Sequence, residues 1–299
     1  MTGKIIDGVA FSAKLREEIR QKTEKLKERY NVQVGLAVVI IGSDPASEIY
    51  VKNKSKFAKE CGFNSVKIEL PSEISEKELI ETIEKLNKDP KINGILVQLP
   101  LPKGISKEKV INCISAEKDV DGFHQLNAGL LFTDQTYLNN TLLPCTPKGS
   151  LMLIKHVLGA DLTGKKAVVI GASNIVGRPM FALLLNEKCT VTITHSKTKN
   201  LTKELENAEI IVIGVGVPNL LKASMIPEGA VVIDVGINRV LSLDGKKKIV
   251  GDVEFEEALP KVLAITPVPG GVGPMTIACL LQNALIAACN QNNVEYSKL

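Results

Sequence analysis

Short runs that are apolar at nearly every position, alternating with stretches of helical period, constrain this chain more than any other feature. After an amphipathic helix over residues 8–30, apolar runs at 34–41, 66–70 and 94–99 alternate with helical stretches at 45–61 and 75–88. A run such as Gly35-Leu-Ala-Val-Val-Ile-Ile41 has no polar face. It fits a strand covered on both sides, as in a parallel sheet flanked by helices. The expected fold is therefore α/β, and catalytic groups are expected at the carboxyl ends of the strands.

The rhythm breaks at a polar stretch over 133–141, followed by Pro144-Cys-Thr-Pro147, and a helix over 147–158 leads onward. It then restarts, with strands at 166–170, 190–194, 209–213, 230–235 and 262–265 and helices after Ile175 and Leu201. Two α/β domains follow from this, 1–146 and 147–274, with a nearly continuous apolar helix in about 275–299 packing back on the first. A chain of 299 residues with 44% hydrophobic content is long enough for two cores.

Composition narrows the class. The net charge is a mild +4, and no basic run is interleaved with aromatics, so nucleic acid is not an expected partner. The six cysteines form no C-x-x-C pair and read as reduced core residues. The opening Met-Thr-Gly-Lys has no apolar signal region, and no run reads as long enough to span a membrane. A cytoplasmic location is expected.

Within the helix at 45–61, capped by Asp44 and closed by Gly62, one residue is out of place. At roughly 100° per residue, Lys54 falls near the centre of a face made of Phe57, Tyr50, Cys61, Ser47, Ala58 and Val51. Lys52, Lys56 and Lys59 fall on the opposite side. A lysine held among apolar groups loses hydration, which disfavours its charged form and makes it an acid/base candidate. The alternative is a lysine at the edge of the stripe that extends its ammonium into water. Tyr50 and Ser47 lie one and two turns earlier on the same side and can share a pocket with it.

Two glycine-rich turns stand out. Val168-Val-Ile-Gly171-Ala-Ser-Asn-Ile-Val-Gly177-Arg-Pro reads as strand, tight turn and helix, the place where a Rossmann unit sets a pyrophosphate on a helix N-terminus. Ser173 replaces the second glycine of that fingerprint, and the last glycine comes one residue late. The next strand ends Thr194-His195-Ser196-Lys197, without the acid that NAD enzymes commonly place there, which favours NADP over NAD. Arg178 can reach a phosphate from the helix or lie unused on the surface. The second turn, Thr266-Pro-Val-Pro-Gly270-Gly271-Val-Gly-Pro-Met-Thr276, combines fixed and free φ into a wall poor in side chains that a flat ligand can approach. An interdomain connector is the plainer reading of it.

Gln98 ends an apolar run and should emerge at the sheet's carboxyl edge, unless it merely caps the strand. Asp119 and Asp121 in Lys118-Asp-Val-Asp-Gly122 read, taken alone, as turn builders. No cluster has metal-ligand spacing, and no Ser/His/Asp arrangement is evident.

Taken in order, Tyr50-x-x-x-Lys54, Val97-Gln-Leu-Pro-Leu-Pro102, Asp119-Val-Asp-Gly-Phe123, Gly171-Ala-Ser-Asn-Ile-Val-Gly-Arg-Pro179 and the turn at 266–276 give the chain a resemblance. It resembles, nearly end to end, the bifunctional methylenetetrahydrofolate dehydrogenase/cyclohydrolase family. The resemblance implies an N-terminal folate-binding catalytic domain, a Rossmann-like NADP-binding domain and an active-site cleft between them. It also implies oxidation of methylenetetrahydrofolate by NADP, hydrolysis of the methenyl product to formyltetrahydrofolate, and a homodimer.

By matching positions, Lys54 would be the acid/base group, Gln98 its hydrogen-bonding partner, Tyr50 the stacking ring and Asp121 the carboxylate that holds the pterin. Gly171, Ala172, Ser173, Ser196 and Ile237 align with cofactor contacts, and Pro267, Gly270 and Gly271 lie where folate meets nicotinamide. Some relatives carry an arginine for the 2′-phosphate where Ala172 stands here, which leaves Ser196 and Arg178 for that task and keeps NAD open. The competing readings are another two-domain dehydrogenase acting on an amino or hydroxy acid, and a nucleotide-binding regulatory protein without chemistry.

Overall fold

The computed structural model describes residues 3–42, 45–133, 140–241 and 247–299, with the backbone alone at 45–47, 49 and 50. In chain order the first elements are β1 (Lys4–Ile5), α1 (Gly8–Tyr30), β2 (Gly35–Ile41), α2 (Pro45–Glu60), β3 (Asn64–Leu70), α3 (Glu76–Lys88) and β4 (Gly94–Val97). Then come α4 (Lys107–Cys113), α5 (Gln125–Thr133), α6 (Cys145–Leu158), β5 (Lys166–Ile170), α7 (Gly177–Asn186), β6 (Thr190–Thr194) and α8 (Leu201–Leu205). The chain finishes with β7 (Ile210–Ile213), β8 (Val231–Asp234), β9 (Asn238–Leu241), β10 (Lys247–Val250), α9 (Phe255–Ala258), β11 (Ala264–Ile265) and α10 (Val272–Gln291).

Two compact units result: Ala13–Cys145 with Leu280–Leu299, and Met1–Ser12 with Thr146–Cys279. The boundaries differ from 1–146 and 147–274 at both ends of the chain. β1 pairs in parallel with β11, Lys4 opposite Ala264, which places the first residues with the second sheet. A two-residue strand carries too little pattern to be read in advance. At the other end α10 divides between the units. Its second half belongs with the first, where Asn283 Nδ2 donates to the carbonyls of Val120 (2.9 Å) and Leu143 (2.7 Å) and Gln291 Nε2 donates to Asn93 O (2.9 Å).

The first unit holds a three-stranded parallel sheet in the order β3-β2-β4. β2 and β4 are buried throughout, as their apolar runs require, and pack Ala37, Val39, Ile95 and Val97 against Leu79 and Ile83 of α3. β3 is an edge strand with no fully buried position and with Asn64, Val66, Lys67 and Glu69 exposed, so its apolar run is not covered on both faces. α3 starts with a reciprocal capping box between Ser75 and Glu78.

The second unit holds a six-stranded parallel sheet in the order β1-β11-β8-β7-β5-β6 and a β9–β10 hairpin. Val168, Ile170, Ile211, Ile213 and Val232 anchor its core. One expectation fails on α10, which is long and apolar enough to cross a membrane by composition, although most of it is buried in the protein interior. The two halves of that helix serve two cores, which is why it is apolar on every side. The six cysteines are free thiols, five of them buried. Burial pushes the thiols of Cys189, Cys279 and Cys289 up to about 11.

Candidate active site

α2 presents the two faces that its periodicity requires. Val51, Ala58 and Cys61 are buried, whereas Lys52, Lys56 and Lys59 are exposed. Gly62 closes the helix at φ +81°, with Phe63 N donating to Ala58 O at 2.9 Å. Lys54 lies on the inner face with only 7% of its surface exposed, so it does not reach out into water. Its Nζ donates to Gln98 Oε1 at 3.1 Å. The Asp44 cap and the side chains of Ser47 and Tyr50 lie outside the described residues.

Gln98 follows β4 directly, and its backbone N–H donates to Val39 O at 2.8 Å, which fixes it at the carboxyl edge of the sheet. Its amide Nε2 donates to Leu99 O at 2.8 Å, and this orients Oε1 toward the lysine. The bond Leu99–Pro100 is cis, turning the chain away immediately after that residue.

Asp121 is the third member of the group. It is half-buried; loss of hydration raises its carboxyl above the ordinary range, and the Lys54 charge pulls it back down. The setting of Lys54 is therefore not the purely apolar one expected from the helix wheel. An amide oxygen and a carboxylate, brought from β4 and from the turn after Lys118, face it across the first unit.

The turn that carries Asp121 is rigid. Asp119, 1% exposed, accepts hydrogen bonds from Gly122 N (3.2 Å), His124 N (2.7 Å) and Asn127 Nδ2 (3.1 Å), and burial raises its carboxyl to about 6. Asp119 is thus the turn builder that the sequence proposed, and Asp121 is not. Gly122 has φ +75° and lies against the backbone of Leu143 and Pro144, leaving no room for a side chain. Asn283 holds Val120 O from α10, one residue before Asp121.

In the second unit the Gly171 turn connects β5 to α7. Gly171 has φ +109°, and a Cβ there would lie 2.8 Å from Gly214 O. A Cβ on Gly177 would overlap the Gly171 carbonyl, so helix and strand approach as closely as a late glycine allows. Ser173 Oγ accepts from Val176 N (3.2 Å) and Gly177 N (3.4 Å), which satisfies helix-start donors that a glycine would leave open. Arg178 is exposed, and its Nε donates to Ala172 O at 3.3 Å.

Ser196 and Lys197 are exposed at the end of β6. His195 builds that loop, its Nδ1 accepting from Lys197 N at 3.1 Å. Ile237 is 52% exposed after β8. Pro267 and Gly270 are partly exposed, with a cis bond at Val268–Pro269 between them. Gly271 is buried, and a Cβ on Gly8 at the start of α1 would overlap its carbonyl.

Sequence reasoning passed over a second carboxylate group. Asp234 at the end of β8 and Asp252 after β10 are buried together beside the turn Gly214-Val215-Gly216. The one available signal was an acid ending an otherwise apolar strand, Val231-Val-Ile-Asp234.

Two family models match the chain. Residues 6–121 match the tetrahydrofolate dehydrogenase/cyclohydrolase catalytic domain, and residues 144–292 match the NAD(P)-binding domain of the same family. The chain belongs to the tetrahydrofolate dehydrogenase/cyclohydrolase family. It is 55% identical to the bifunctional protein FolD of a Wolbachia from Drosophila simulans, over 98% of each chain. Among solved structures it is similar to the bifunctional FolD methylenetetrahydrofolate dehydrogenase/cyclohydrolase of Campylobacter jejuni, with 48% identity, 96% and 99% coverage and a TM-score of 0.90. It is likewise similar to the Trypanosoma brucei enzyme complexed with NADP cofactor and inhibitor, at 35% identity, 97% and 98% coverage and a TM-score of 0.89. An amino- or hydroxy-acid dehydrogenase finds no support beside these matches.

Proposed function

We propose that this chain is a bifunctional one-carbon folate enzyme, oxidising 5,10-methylenetetrahydrofolate with NADP and hydrolysing the methenyl product to 10-formyltetrahydrofolate. The family membership supports both reactions, and the observation that carries the mechanism is the buried Lys54 Nζ at 3.1 Å from Gln98 Oε1 with Asp121 beside it.

Ring opening needs a group that takes a proton from water and returns it. Lys54 has that role here, because its amine is fixed and kept from bulk solvent. Gln98 Oε1 accepts from Nζ whether the nitrogen is an amine or an ammonium, so the group stays in place through the proton transfer. Asp121 accepts the pterin's N–H groups, and the stacking and lining roles go to Tyr50 and Ser47, whose side chains lie outside the described residues. A carboxylate suits an edge rich in donors.

When bound, NADP supplies the hydride acceptor. The residues present fit it: Gly171 and Gly177 let the turn pack closely against Gly214 and against the start of α7, which sets that helix N-terminus at the strand end, and Ser173 stands there. Ala172 and Ile237 line the cradle, and Pro267, Gly270 and Gly271 form a wall poor in side chains that a flat ligand can approach. Thr194-His-Ser-Lys-Thr-Lys199 contains no acid to repel a 2′-phosphate, and Ser196 and Lys197 are exposed donors there, which favours NADP over NAD. Arg178 supplies a further cation at the helix start.

The working form in this reading is a homodimer in the cytoplasm, with no nucleic acid or membrane partner. Free, buried cysteines fit a reducing compartment. Leu241, 73% exposed, and Ile249, 39% exposed, offer apolar surface on the β9–β10 hairpin for a second copy. A monomer mass by light scattering would remove the dimer.

The decisive experiment is Lys54→Met. Ring-opening of methenyltetrahydrofolate should disappear while circular dichroism and NADP binding persist; a normal ring-opening rate refutes the role given to Lys54.

A further inference from the structure

In the six-stranded sheet the connections reverse at β5, which has β6 on one side and β7 on the other. The crevice at the carboxyl ends there is where open α/β sheets take their ligands. Two loops wall it, the Gly171 turn after β5 and the Gly214-Val215-Gly216-Val217 turn after β7, which lie against each other. The second turn has little rigidity of its own. It contains two glycines, and Gly216 sits at φ +72° with open space around its Cα.

Its rigidity comes from behind. Asp252, with none of its surface exposed, accepts through Oδ2 from Val215 N (2.7 Å) and Gly216 N (3.0 Å), and through Oδ1 from Asn238 Nδ2 (2.7 Å). Asn238 Nδ2 also donates to Gly251 O at 3.2 Å. Asp234 accepts through Oδ1 from Gly236 N (2.9 Å) and Asp252 N (3.0 Å), and through Oδ2 from Val253 N (2.9 Å). Thr266 Oγ1 accepts from Asp234 N at 2.8 Å. Glycine is required at 236 and 251, because a Cβ would overlap the carboxylates of Asp252 and Asp234 respectively. Two buried acids thus tie together the turn after β7, the turn after β8 that carries Ile237, and the strand ends of the β9–β10 hairpin.

We propose that Asp252, itself held by Asp234 and Asn238, is a positioning residue for dinucleotide binding: its carboxylate fixes the Val215–Gly216 backbone that forms one wall of the cofactor crevice. The proposal rests on the dinucleotide reading of the second unit. A carboxylate is needed because two converging backbone N–H groups and one amide N–H all require acceptors, and only a carboxylate offers acceptors on both sides. Asparagine in its place must turn an NH₂ group toward one of them.

The test uses the full-length enzyme and three variants, Asp252→Asn, Asn238→Ala and the double variant Asp252→Asn/Asn238→Asp, which restores a carboxylate–amide pair in reversed polarity. NADP affinity is measured by titration calorimetry, and ring-opening of methenyltetrahydrofolate, which consumes no dinucleotide, is measured alongside. Asp252→Asn should weaken NADP binding by about tenfold or more, in line with the loss of one buried charged hydrogen bond, while ring opening stays within about twofold. The double variant should recover part of the loss. Asn238→Ala should weaken binding about threefold with the fold intact, so a decision is reached even where Asp252→Asn does not fold. NADP affinity within about twofold of the parent in the folded variants overturns the proposal, as does an equal loss of both activities. Failure of the parent enzyme itself to bind NADP sinks the dinucleotide reading instead.

Discussion

The Lys54 group and the Gly171 turn do comparable work with opposite materials. In the first unit the proposed chemistry lies in side chains: an amine, an amide and a carboxylate are brought from α2, the end of β4 and the turn after Lys118. In the second unit the proposed site leans less on side chains, which serve there mainly at the 2′-phosphate through Ser196, Lys197 and Arg178. The proposed site rests on the close backbone packing that Gly171 and Gly177 permit, together with backbone N–H groups held by Ser173 and Asp252. Proton transfer needs titratable groups, whereas holding a phosphate needs close approach and oriented dipoles. Removing functional groups should therefore disable the first region, and adding a methyl group should disable the second.

The largest effect that follows is on the first region. Lys54→Met is expected to lower ring-opening on the order of 10²–10⁴-fold, the usual contribution of a general acid/base, with NADP affinity unchanged in the same preparation. A loss of both together would merge the two regions that the comparison separates.

Next, Gly177→Ala places a methyl group on the Gly171 carbonyl. The second unit should lose about 1–3 kcal/mol or more and NADP binding should fall with it, while the first unit keeps its ring-opening activity at permissive temperature. Thermal melts paired with both assays would read this directly. An alanine tolerated without change would mean that clearance is not what this site depends on.

Acid titration sharpens the contrast differently, because each unit holds a buried acid whose carboxyl is raised well above its ordinary value. Burial raises Asp119 and Asp234 each to about 6, above an unfolded value of 3.8. The native state therefore holds more protons than the unfolded state between about pH 4 and 6, and stability falls as pH rises through that window. Each group contributes at most about 1.4 kcal/mol per pH unit. Asp119→Asn and Asp234→Asn should each flatten the slope of melting temperature against pH, and slopes identical to the parent would contradict the burial argument.

The smallest effect is Ser196→Ala. Loss of one exposed hydroxyl donor to a 2′-phosphate should lower the preference for NADP over NAD by a few-fold, consistent with about 0.5–1.5 kcal/mol, measured as the ratio of the two kcat/KM values. An unchanged ratio would shift the phosphate contact to Lys197 or Arg178.

Much of both regions was legible in one dimension. The helical period put Lys54 inside and Lys52, Lys56 and Lys59 outside, and the buried and exposed positions of α2 follow it. Strands β5 and β6 begin and end where their apolar runs do. What escaped reading was either too short to show a period, as with β1, or apolar without a period, as with α5. The roles of the two aspartates after Lys118 were also closed to a local reading. Two aspartates flanking Val120 look alike in sequence, and only the hydrogen bonds from Gly122, His124 and Asn127 separate Asp119, which builds the turn, from Asp121, which faces the lysine.

Periodicity and local turn chemistry act over a few residues, so the sequence alone determined the α/β alternation, the inward lysine and the tight glycine turn. Partnership across tens of residues was settled only in three dimensions. Gln98 meets Lys54 from 44 positions away, and Asp252 meets Val215 from 37, because strand order sets which loops share an edge. No local pattern encodes strand order, since it follows from how whole elements bury their apolar faces against one another.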